Sequence, residues 1–443
     1  MKSDLDRFMA ERNYDALLVT GGSTNNPPMY YLANGVKVGE ATLLVKKRGE
    51  APVIIAASME RDEAAKSGLR VIDQNKYEFR EIIKAENGDR LRASARLFGK
   101  IFAELGVRGT VAAFGMRDQG AALQLLTAIS ELNPGVNVVG EYGLTVLDMA
   151  TMTKDAEEIK RVRAVGRKTM RVVGGTEAFL TSHRAKNGYL VKNDGSRLTV
   201  GDVKRHINRL LMDEGIVDAE AGTIFAIGRD AGVPHSRGEE RHPIALGQTI
   251  VFDIFPAEPG GGYFFDFTRT WCLGYAPPEV EKAYEDVLGA YKTVMKAFKP
   301  GALCRTYQKM TCDYFEARGH PTIQTDLQTT SGYVHALAHG VGLHIHEPPF
   351  FRDQEGSTER IEPGMVFTVE PGLYYPDHPS GGFGVRLEDA VWLNPETLKF
   401  EVLANYSKAL VLPVRAVSSK RLNSKPQKST FKAGKASSRS ARK

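Results

Sequence analysis

Residues 335–347 read His-Ala-Leu-Ala-His-Gly-Val-Gly-Leu-His-Ile-His-Glu, and this stretch says more about the protein than any other. Four of the ten histidines in the chain fall within it. A lone histidine is most often structural, but four beside glycines that permit close backbone approach indicate a functional site. A further histidine, His235 in Gly-Val-Pro-His-Ser, is weaker evidence when it is taken alone.

Two similar hairpin patterns flank this stretch. Residues 247–253 read Gly-Gln-Thr-Ile-Val-Phe-Asp, and residues 364–370 read Gly-Met-Val-Phe-Thr-Val-Glu. In each pattern an apolar strand ends in an acid, and a turn rich in glycine and proline follows. A second strand then supplies another acid, Asp266 or Glu388. Chance similarity between two β-hairpins is the alternative when the repeat is considered by itself.

The acids on these apolar strands predict a cation site. A carboxylate among apolar neighbours faces either solvent or a partner, because an unpaired buried charge is very costly. One such acid is compatible with a salt bridge or a sheet edge, whereas four at paired positions favour a bound cation. Carboxylate oxygens suit Mg²⁺ or Mn²⁺, and added imidazole moves the preference towards Mn, Fe, Co or Zn.

The whole set resembles the Xaa-Pro peptidase family, which includes aminopeptidase P and prolidase and shares the pita-bread catalytic fold of methionine aminopeptidase. The motifs that carry the resemblance are FDFTRT, HALAHGVGLHIHEPP, EPGMVFTVEPG and GVRLED. The catalytic match spans about residues 154–412, and MYYLANG at 29–35 is similar to the creatinase-type N-terminal domain of the same family. The resemblance therefore covers nearly all of the chain except the C-terminal tail.

Members of this family bind two metal ions through Asp, Asp, His, Glu and Glu, in that order along the chain. The matching residues are Asp253, Asp266, His339, Glu370 and Glu388. The resemblance implies that Asp253 and Glu388 bridge two divalent metal ions, with Asp266 on one ion and His339 and Glu370 on the other. It also implies that Glu370 takes the proton of the attacking water and passes it to the leaving nitrogen.

Accessory residues follow from the same resemblance. His235 and His346 match histidines that position the substrate and stabilise the intermediate, and His335 matches one that lines the substrate pocket. Arg386 lies two residues before the last acid, so on a strand both side chains face the same way. It is expected to hold the carboxylates in place, with a surface ion pair as the alternative. His344 is given no role.

The sequence departs from the family in one turn. Asp253 and Asp266 are 13 positions apart, whereas most members of the family separate these acids by eleven. The turn PAEPGGGY is longer and lacks the usual Asp-x-Gly. Because side chains alternate along a strand, two added residues keep both acids on one face, and both are retained as predicted ligands.

The pattern of strands and helices predicts two domains. Residues 1–150 alternate short apolar strands with helices, which indicates an α/β N-terminal domain. A helix is expected to begin near Lys154 with Thr153 as its cap, and residues 151–414 are expected to form an α+β pita-bread catalytic domain around a curved antiparallel sheet. Residues 415–443 hold ten Lys or Arg and no acid, and are predicted to be a disordered basic tail.

The composition is that of an ordinary globular chain with 443 residues, 42% hydrophobic. Its three cysteines are too few for a disulfide framework, so we expect a reducing, cytoplasmic setting. The first residues, MKSDLDRF, do not resemble a signal peptide, and no apolar run approaches the roughly 18 residues of a membrane span. A membrane partner is therefore not expected.

The net charge of +6 depends on the tail, since the rest of the chain holds 49 basic and 53 acidic residues. A solvated tail is the simpler interpretation, and a nonspecific anchor for polyanions is the alternative. No specific nucleic-acid partner is predicted. The resemblance implies a homodimer.

The predicted function is hydrolysis of the Xaa-Pro bond, either at the N-terminus of peptides or in dipeptides, by a peptidase with two divalent metal ions. Manganese is favoured by the carboxylate majority and by the family, and cobalt or zinc would also suit the donors. The preference for proline rests on the resemblance alone, and the choice between dipeptidase and aminopeptidase stays open. The alternatives are another metal-dependent amide hydrolase on this fold and a non-catalytic pita-bread binding protein.

Overall fold

The structure is a computed structural model that describes residues 1–115, 118–218 and 222–416. Most of the predicted basic tail lies outside these residues. Its first two positions, Arg415–Ala416, form a short strand that pairs with Arg184–Lys186, so the described chain continues past the boundary predicted at 414. Within the described ranges we find no helix with the length and apolar character that a membrane crossing requires.

The first part of the chain forms a six-stranded mixed sheet flanked by helices. The strands are β1 (Ala16–Thr20), β2 (Leu43–Lys47), β3 (Val53–Ala56), β4 (Arg70–Asp73), β5 (Gly109–Phe114) and β6 (Val136–Val139). The helices are α1 (Leu5–Glu11), α2 (Pro27–Leu32), α3 (Arg61–Ala65), α4 (Phe79–Ala85), α5 (Arg90–Leu105), α6 (Gln119–Leu132) and α7 (Val146–Met152). The strand order is β4-β3-β2-β1-β5-β6, with β1 parallel to β5 and antiparallel to β2. Alternating strands and helices are what the sequence predicts here.

The long helix α8 (Ala156–Ser182) follows. Its cap is Asp155, whose side chain accepts from the backbone N–H groups of Glu157 and Glu158, while the Glu158 side chain accepts in return from the backbone of Asp155. The prediction of Thr153 as the cap is wrong, because the chain stays extended for two more residues. A reciprocal capping box satisfies more of the free N–H groups of a first turn than a single hydroxyl does.

The rest of the described chain alternates helices with short sheets. The remaining helices are α9 (Val200–Glu214), α10 (Pro278–Ala297) and α11 (Cys304–Glu316). The remaining strands are β7 (Arg184–Lys186), β8 (Tyr189–Val191), β9 (Ile224–Ile227), β10 (Thr249–Ile254), β11 (Phe267–Leu273), β12 (His339–Gly340), β13 (Glu347–Phe350), β14 (Val366–Val369), β15 (Gly372–Tyr375), β16 (Phe383–Arg386), β17 (Asp389–Leu393), β18 (Phe400–Val402), β19 (Val411–Leu412) and β20 (Arg415–Ala416). They pair in the orders β19-β11-β10-β9, β13-β12-β14-β17-β18, β15-β16 and β20-β7-β8.

Helix α10 shows how the amphipathic helices cover these sheets. Its apolar residues recur at helical spacing on one face, and all of that face is buried. The buried residues of this face include Val280, Tyr284, Val287, Tyr291 and Val294. Phe298, just beyond the helix, makes edge contacts with Phe351 and Phe367, so the helix end is fixed against the strands that carry the candidate site.

Candidate active site

The first hairpin, β10 and β11, places two carboxylates on one face of its sheet. Asp253 pairs with Thr268, and Asp266 lies two residues before that threonine, so all three side chains point to the same side. The pairing continues in the same register beyond the strand ends to Ala257 and Phe264. The longer turn therefore extends the hairpin without a slip, and the predicted common face of the two acids is confirmed.

The second hairpin, β14 and β17, repeats the arrangement with two glutamates. In β14 and β17, Val369 pairs with Asp389. The strands β15 and β16, which lie between them in sequence, pair in the same register. Glu370 and Glu388 therefore face each other at the point between these two strand pairs. A β-bridge between Thr268 and Glu388 joins this hairpin to the first one. The four acids are thus collected by the pairing of two hairpins that are far apart in sequence.

His339 reaches the same point from β12, which pairs with β14. Its backbone N–H donates to the hydroxyl of Thr368 at 3.1 Å, and its ring Nδ1 donates to the carbonyl of Gly340 at 3.1 Å. The other ring nitrogen, Nε2, lies 3.2 Å from Glu370 Oε1 and 3.5 Å from Asp266 Oδ2. A backbone carbonyl on Nδ1 orients the ring and leaves Nε2 free for a metal ion, as in known metal sites.

These side chains fit a divalent cation. Asp266, His339 and Glu388 each present a ligand atom within 4.8 Å of the others. Asp253 is 8% exposed, and its Oδ1 is buried without a hydrogen-bond partner among the described residues. Buried carboxylates in this number are costly unless a cation compensates them, and four carboxylates with one imidazole are a normal donor set for Mn²⁺ or a similar ion.

The pKa shifts of these side chains in the protein alone also indicate that the buried carboxylates require a compensating cation. Burial raises the pKa of Asp266 and Glu388 well above the usual range, and the charges of neighbouring carboxylates add to the effect. Burial would also raise the pKa of Glu370, but the hydrogen bond and charge of His339 lower it to about 2. Burial lowers the pKa of His339, but the bond and charge of Glu370 raise it to about 9. A cation would stabilise the charged forms of Asp266 and Glu388, which burial and the neighbouring carboxylates disfavour.

Arg386 is part of this site. It is 3% exposed, and its guanidinium forms an ion pair with Asp253 Oδ2. It also donates to Tyr374 Oη at 2.8 Å and to Thr268 Oγ at 3.2 Å. Both members of the ion pair are buried, so the alternative interpretation as a surface pair is wrong.

His335 lies behind the cluster. Its Nδ1 donates to the carbonyl of Ala336 at 2.7 Å, so its Nε2 accepts from Tyr374 Oη at 2.9 Å. Tyr374 in turn accepts from Arg386, which connects His335 to the carboxylate of Asp253 by a chain of hydrogen bonds. Burial lowers the pKa of His335, consistent with a neutral imidazole at this position.

A cleft of about 200 Å³ opens over the four acids and His339, and we call it the catalytic cleft. Its lining residues are Gly222, Ile224, His235, Arg237, Asp253, Phe255, Asp266, His339, Ile345, His346, Glu370, Arg386 and Glu388. His235 and His346 are exposed in it, and the ring of His346 packs 4.3 Å from that of His339. His344, which was given no role, is exposed outside it.

Sequence reasoning missed a buried ion pair that supports the histidine stretch. Lys154 and Glu347 are 1% and 3% exposed and pair through Nζ and Oε1. The other oxygen of Glu347 accepts from the backbone N–H of Leu343 at 3.1 Å and of His344 at 3.4 Å. The pair therefore fixes the loop that carries His346. The one indication in the sequence was Glu347 itself, the acid at the end of residues 335–347.

A second missed pair lies under the second hairpin. Arg269 and Asp389 are both 0% exposed, with Nη2 and Oδ1 2.7 Å apart. Arg269 also donates to the backbone carbonyl of Glu388 at 2.8 Å, which holds the backbone of that acid. One indication of this pair was present in the sequence, because Arg269 stands in the FDFTRT motif among apolar residues, where a buried arginine needs a partner.

The chain belongs to metallopeptidase family M24. The model of that family matches residues 161–395, just over half of the chain, and the match includes all five predicted ligands. The protein is therefore a metallopeptidase, as the resemblance implied, and members of this family use divalent metal ions.

Curated relatives and solved structures agree with this assignment. A probable dipeptidase PepE of Mycobacterium tuberculosis is 27% identical over 355 residues, which cover 79% of this chain and 80% of that protein. An uncharacterized peptidase of Staphylococcus aureus is 27% identical over 274 residues, 62% of this chain and 68% of that protein.

Two solved structures show the same fold at low identity. An Xaa-Pro dipeptidase from Bacillus anthracis has a TM-score of 0.70 and 21% identity, covering 93% of this chain and 99% of that one. An X-Pro aminopeptidase from Thermotoga maritima has a TM-score of 0.69 and 20% identity, covering 91% and 99%. The predicted architecture, an α/β N-terminal part followed by a pita-bread catalytic part, is confirmed.

Proposed function

We propose that this metallopeptidase hydrolyses the peptide bond before a proline in the second position, in dipeptides or at the N-terminus of longer peptides. The observation that carries the proposal is the convergence of Asp253, Asp266, His339, Glu370 and Glu388 in one cleft, on a chain of family M24. The names of the X-Pro aminopeptidase and the Xaa-Pro dipeptidase to whose structures the chain is similar support the preference for proline.

The proposed metal centre holds two divalent ions, with manganese favoured over cobalt and zinc because carboxylates outnumber imidazoles. Asp253, Asp266, Glu370 and Glu388 would hold these ions through carboxylate oxygens, and His339 would hold them through an imidazole nitrogen. The orphaned oxygen of Asp253 and the close approach of Asp266, His339 and Glu388 support this assignment. Divalent ions held by these residues would lower the pKa of a water and stabilise the charge that develops on the scissile carbonyl.

The residues of the chain would then supply proton transfer and orientation. Glu370 is the proposed general base, and the hydroxyl of Thr368 donates to its Oε1 at 3.1 Å, which orients the carboxylate. Partial loss of solvent and the neighbouring His339 lower the pKa of His346 to about 4. A neutral His346, together with His235 across the cleft, would position the carbonyl of the substrate. Arg386 would keep Asp253 in place.

The decisive test compares peptides in the presence and absence of metal. Purified protein is stripped of metal and assayed with and without added Mn²⁺ on glycyl-proline and on a tripeptide with proline second. We expect cleavage only with metal, and Glu370→Gln should abolish it. The matched control is Glu362→Gln, which replaces an exposed glutamate shortly before β14, the strand that leads to Glu370. This variant should cleave both peptides as the wild-type protein does. Equal turnover by Glu370→Gln would refute the assigned proton transfer.

The other candidate functions give different results in the same assay. Tight metal uptake without cleavage of either peptide would indicate another amide substrate. A binding protein on this fold would show no metal-dependent turnover, and the complete set of five ligands argues against that alternative.

The remaining predictions stay as proposals with their own support. We propose a domain boundary near residue 150, since the six-stranded sheet ends at Val139 and α8 begins at Ala156. A cytoplasmic location is consistent with three cysteines that are buried as free thiols. A homodimer is proposed from the family resemblance only.

A further inference from the structure

The longer turn between β10 and β11, residues 256–263, has a defined shape, and we call it the hairpin tip. The backbone N–H of Glu258 donates to the carbonyl of Tyr263 at 3.1 Å. The backbone N–H of Tyr263 donates in return to Oε2 of the Glu258 side chain at 3.0 Å. The tip is therefore closed by its own hydrogen bonds, and one carboxylate takes part in closing it.

The hairpin tip packs against the N-terminal α/β part through its glycines. Gly260 and Gly261 have φ angles of +89° and +100°, in the left-handed region that favours glycine. A Cβ on Gly261 would lie 3.0 Å from the backbone nitrogen of Asn25 and 3.3 Å from the carbonyl oxygen of Ser23. These glycines therefore permit a close approach to the N-terminal part that a side chain would obstruct.

Glu258 links the hairpin tip to two helices. Arg161 of α8 donates from Nε to Glu258 Oε1 at 3.1 Å, and its Nη2 pairs with the other oxygen. Tyr30 of α2 donates to the same Oε2 at 3.4 Å. The side chains of Arg161 and Glu258 are 34% and 23% exposed, so solvent screens this pair less than it screens a pair on an open surface. One carboxylate thus connects the tip with the N-terminal part and with α8.

The other end of this connection is the candidate active site. Phe264, the first residue after the hairpin tip, donates its backbone N–H to the carbonyl of Gly342 in the histidine stretch at 2.8 Å. Asp266 follows two residues later. Among the described residues, Phe255 and Asp266 on either side of the tip line the catalytic cleft, but no residue of the tip does. The tip can therefore affect the site through the position of the backbone, without touching a substrate in the cleft.

We propose that the hairpin tip is a positioning element, and that Glu258 and Arg161 are the positioning residues that anchor it. Their contact holds Asp266 and the histidine stretch in the arrangement that binds metal. The inference rests on the proposed function. Its physical basis is that a site needs its ligands held to within about 0.5 Å, and residues that support the ligands supply this precision. The two aspartates and the tip belong to one hairpin with one register, so a shift of the tip is passed on to both acids.

The experiment breaks the anchor with Glu258→Gln and with Arg161→Met in the full chain. We expect each variant to bind Mn²⁺ more weakly, measured by competition with a chelator, and to have a lower kcat on glycyl-proline at saturating Mn²⁺. Both effects should be about two- to thirtyfold, the usual range for residues that act on a site from a distance. KM should change by less than about twofold, because the tip does not line the cleft. The double variant should be no worse than the more affected single one, since both substitutions break the same contact.

The matched control is a second arginine–glutamate pair on the same helix. Arg171 of α8 donates to Glu214 of α9 from the same two nitrogens, Nε at 2.7 Å and Nη2 at 2.5 Å, and Glu214 is 22% exposed. Glu214→Gln and Arg171→Met should retain wild-type Mn²⁺ affinity and kcat. Wild-type values in Glu258→Gln and Arg161→Met, or losses no larger than those of the controls, would overturn the positioning role even if their Tm is lower.

Failure of the proposed function gives a separate result. If the wild-type protein binds Mn²⁺ but cleaves neither glycyl-proline nor a tripeptide with proline second, the assignment as an Xaa-Pro peptidase fails. The Mn²⁺ affinities of the same variants then decide the positioning role. Weaker binding in the two tip variants and unchanged binding in the two controls would support it, whereas equal binding in all of them would refute it.

Discussion

Arg386 and Asp253 form a buried ion pair in which one guanidinium nitrogen contacts Oδ2, while Oδ1 has no hydrogen-bond partner in the part of the chain that the structure describes. The two oxygens of one carboxylate thus have different roles. Oδ2 is fixed by the protein, and Oδ1 is the one available to a cation. The same guanidinium also reaches Tyr374 and Thr268, so a single side chain orients several groups of the site.

This geometry predicts that Arg386→Lys is not conservative. An ammonium keeps the charge but does not reproduce the fork that reaches Asp253, Tyr374 and Thr268 together. We expect kcat to fall about 10- to 100-fold with the overall fold retained, because residues that orient metal ligands have effects of this size. Steady-state kinetics and metal analysis on the same sample check it. Arg352→Lys, an exposed arginine after the histidine stretch, is the control. Unchanged kcat in Arg386→Lys would contradict the orienting role.

A second prediction concerns Thr268. Its hydroxyl donates to Glu388 Oε2 at 2.6 Å and accepts from Arg386 Nε at 3.2 Å. Thr268→Val keeps the shape of the side chain but leaves both partners without that bond. We expect the affinity for Mn²⁺ to fall about tenfold or more, measured by competition with a chelator. The control is Thr293→Val, where the hydroxyl bonds only to a carbonyl of its own exposed helix face. Wild-type affinity in Thr268→Val would show that its hydroxyl does not support Glu388.

Metal removal is predicted to change stability as well as activity. A ligand that binds only the folded state stabilises it by about 2.7 kcal/mol at 100 times its Kd, so the Tm of stripped protein should rise when Mn²⁺ is added. Asp266→Asn should lose most of this rise. Its Tm without metal should equal or exceed that of stripped wild type, since one of several repelling buried carboxylates is gone. Scanning calorimetry measures the Tm of wild type and of Asp266→Asn with and without Mn²⁺. A full metal-dependent rise in Asp266→Asn would exclude Asp266 as a ligand.

The sequence predicted those parts of the site that depend on local pattern. Period-two alternation placed Asp253 and Asp266 on one face in spite of the longer turn, and helical spacing placed the buried face of α10. Both features follow from the backbone geometry of single elements, which the residue pattern encodes directly. His339 entered the predicted set only through the ligand order that the family resemblance implies.

The sequence did not predict contacts between distant segments. Lys154 and Glu347 are 193 positions apart, and nothing in either local pattern shows that they meet. The place of Arg237 in the catalytic cleft was missed for the same reason, because its position depends on how its loop packs beside α9. Thr153 was mistaken for a helix cap because Asp155, two residues later, offered a better one. Such competition is settled by tertiary geometry and hydrogen bonding rather than by residue type.

The Lys154–Glu347 pair supplies the last prediction, on stability and on His346 together. Removing one member of a buried pair strands the other charge and costs about 3–5 kcal/mol, so Lys154→Met and Glu347→Gln should each lower the free energy of unfolding. The double variant should be less destabilised than the sum of the two, because no charge is stranded. Denaturant unfolding of the four proteins measures the coupling. Lys160→Met, which removes an exposed pair with Glu157, should cost at most about 1 kcal/mol. If the pair also positions His346, KM should rise in both single variants, whereas an unchanged KM would limit the pair to a structural role.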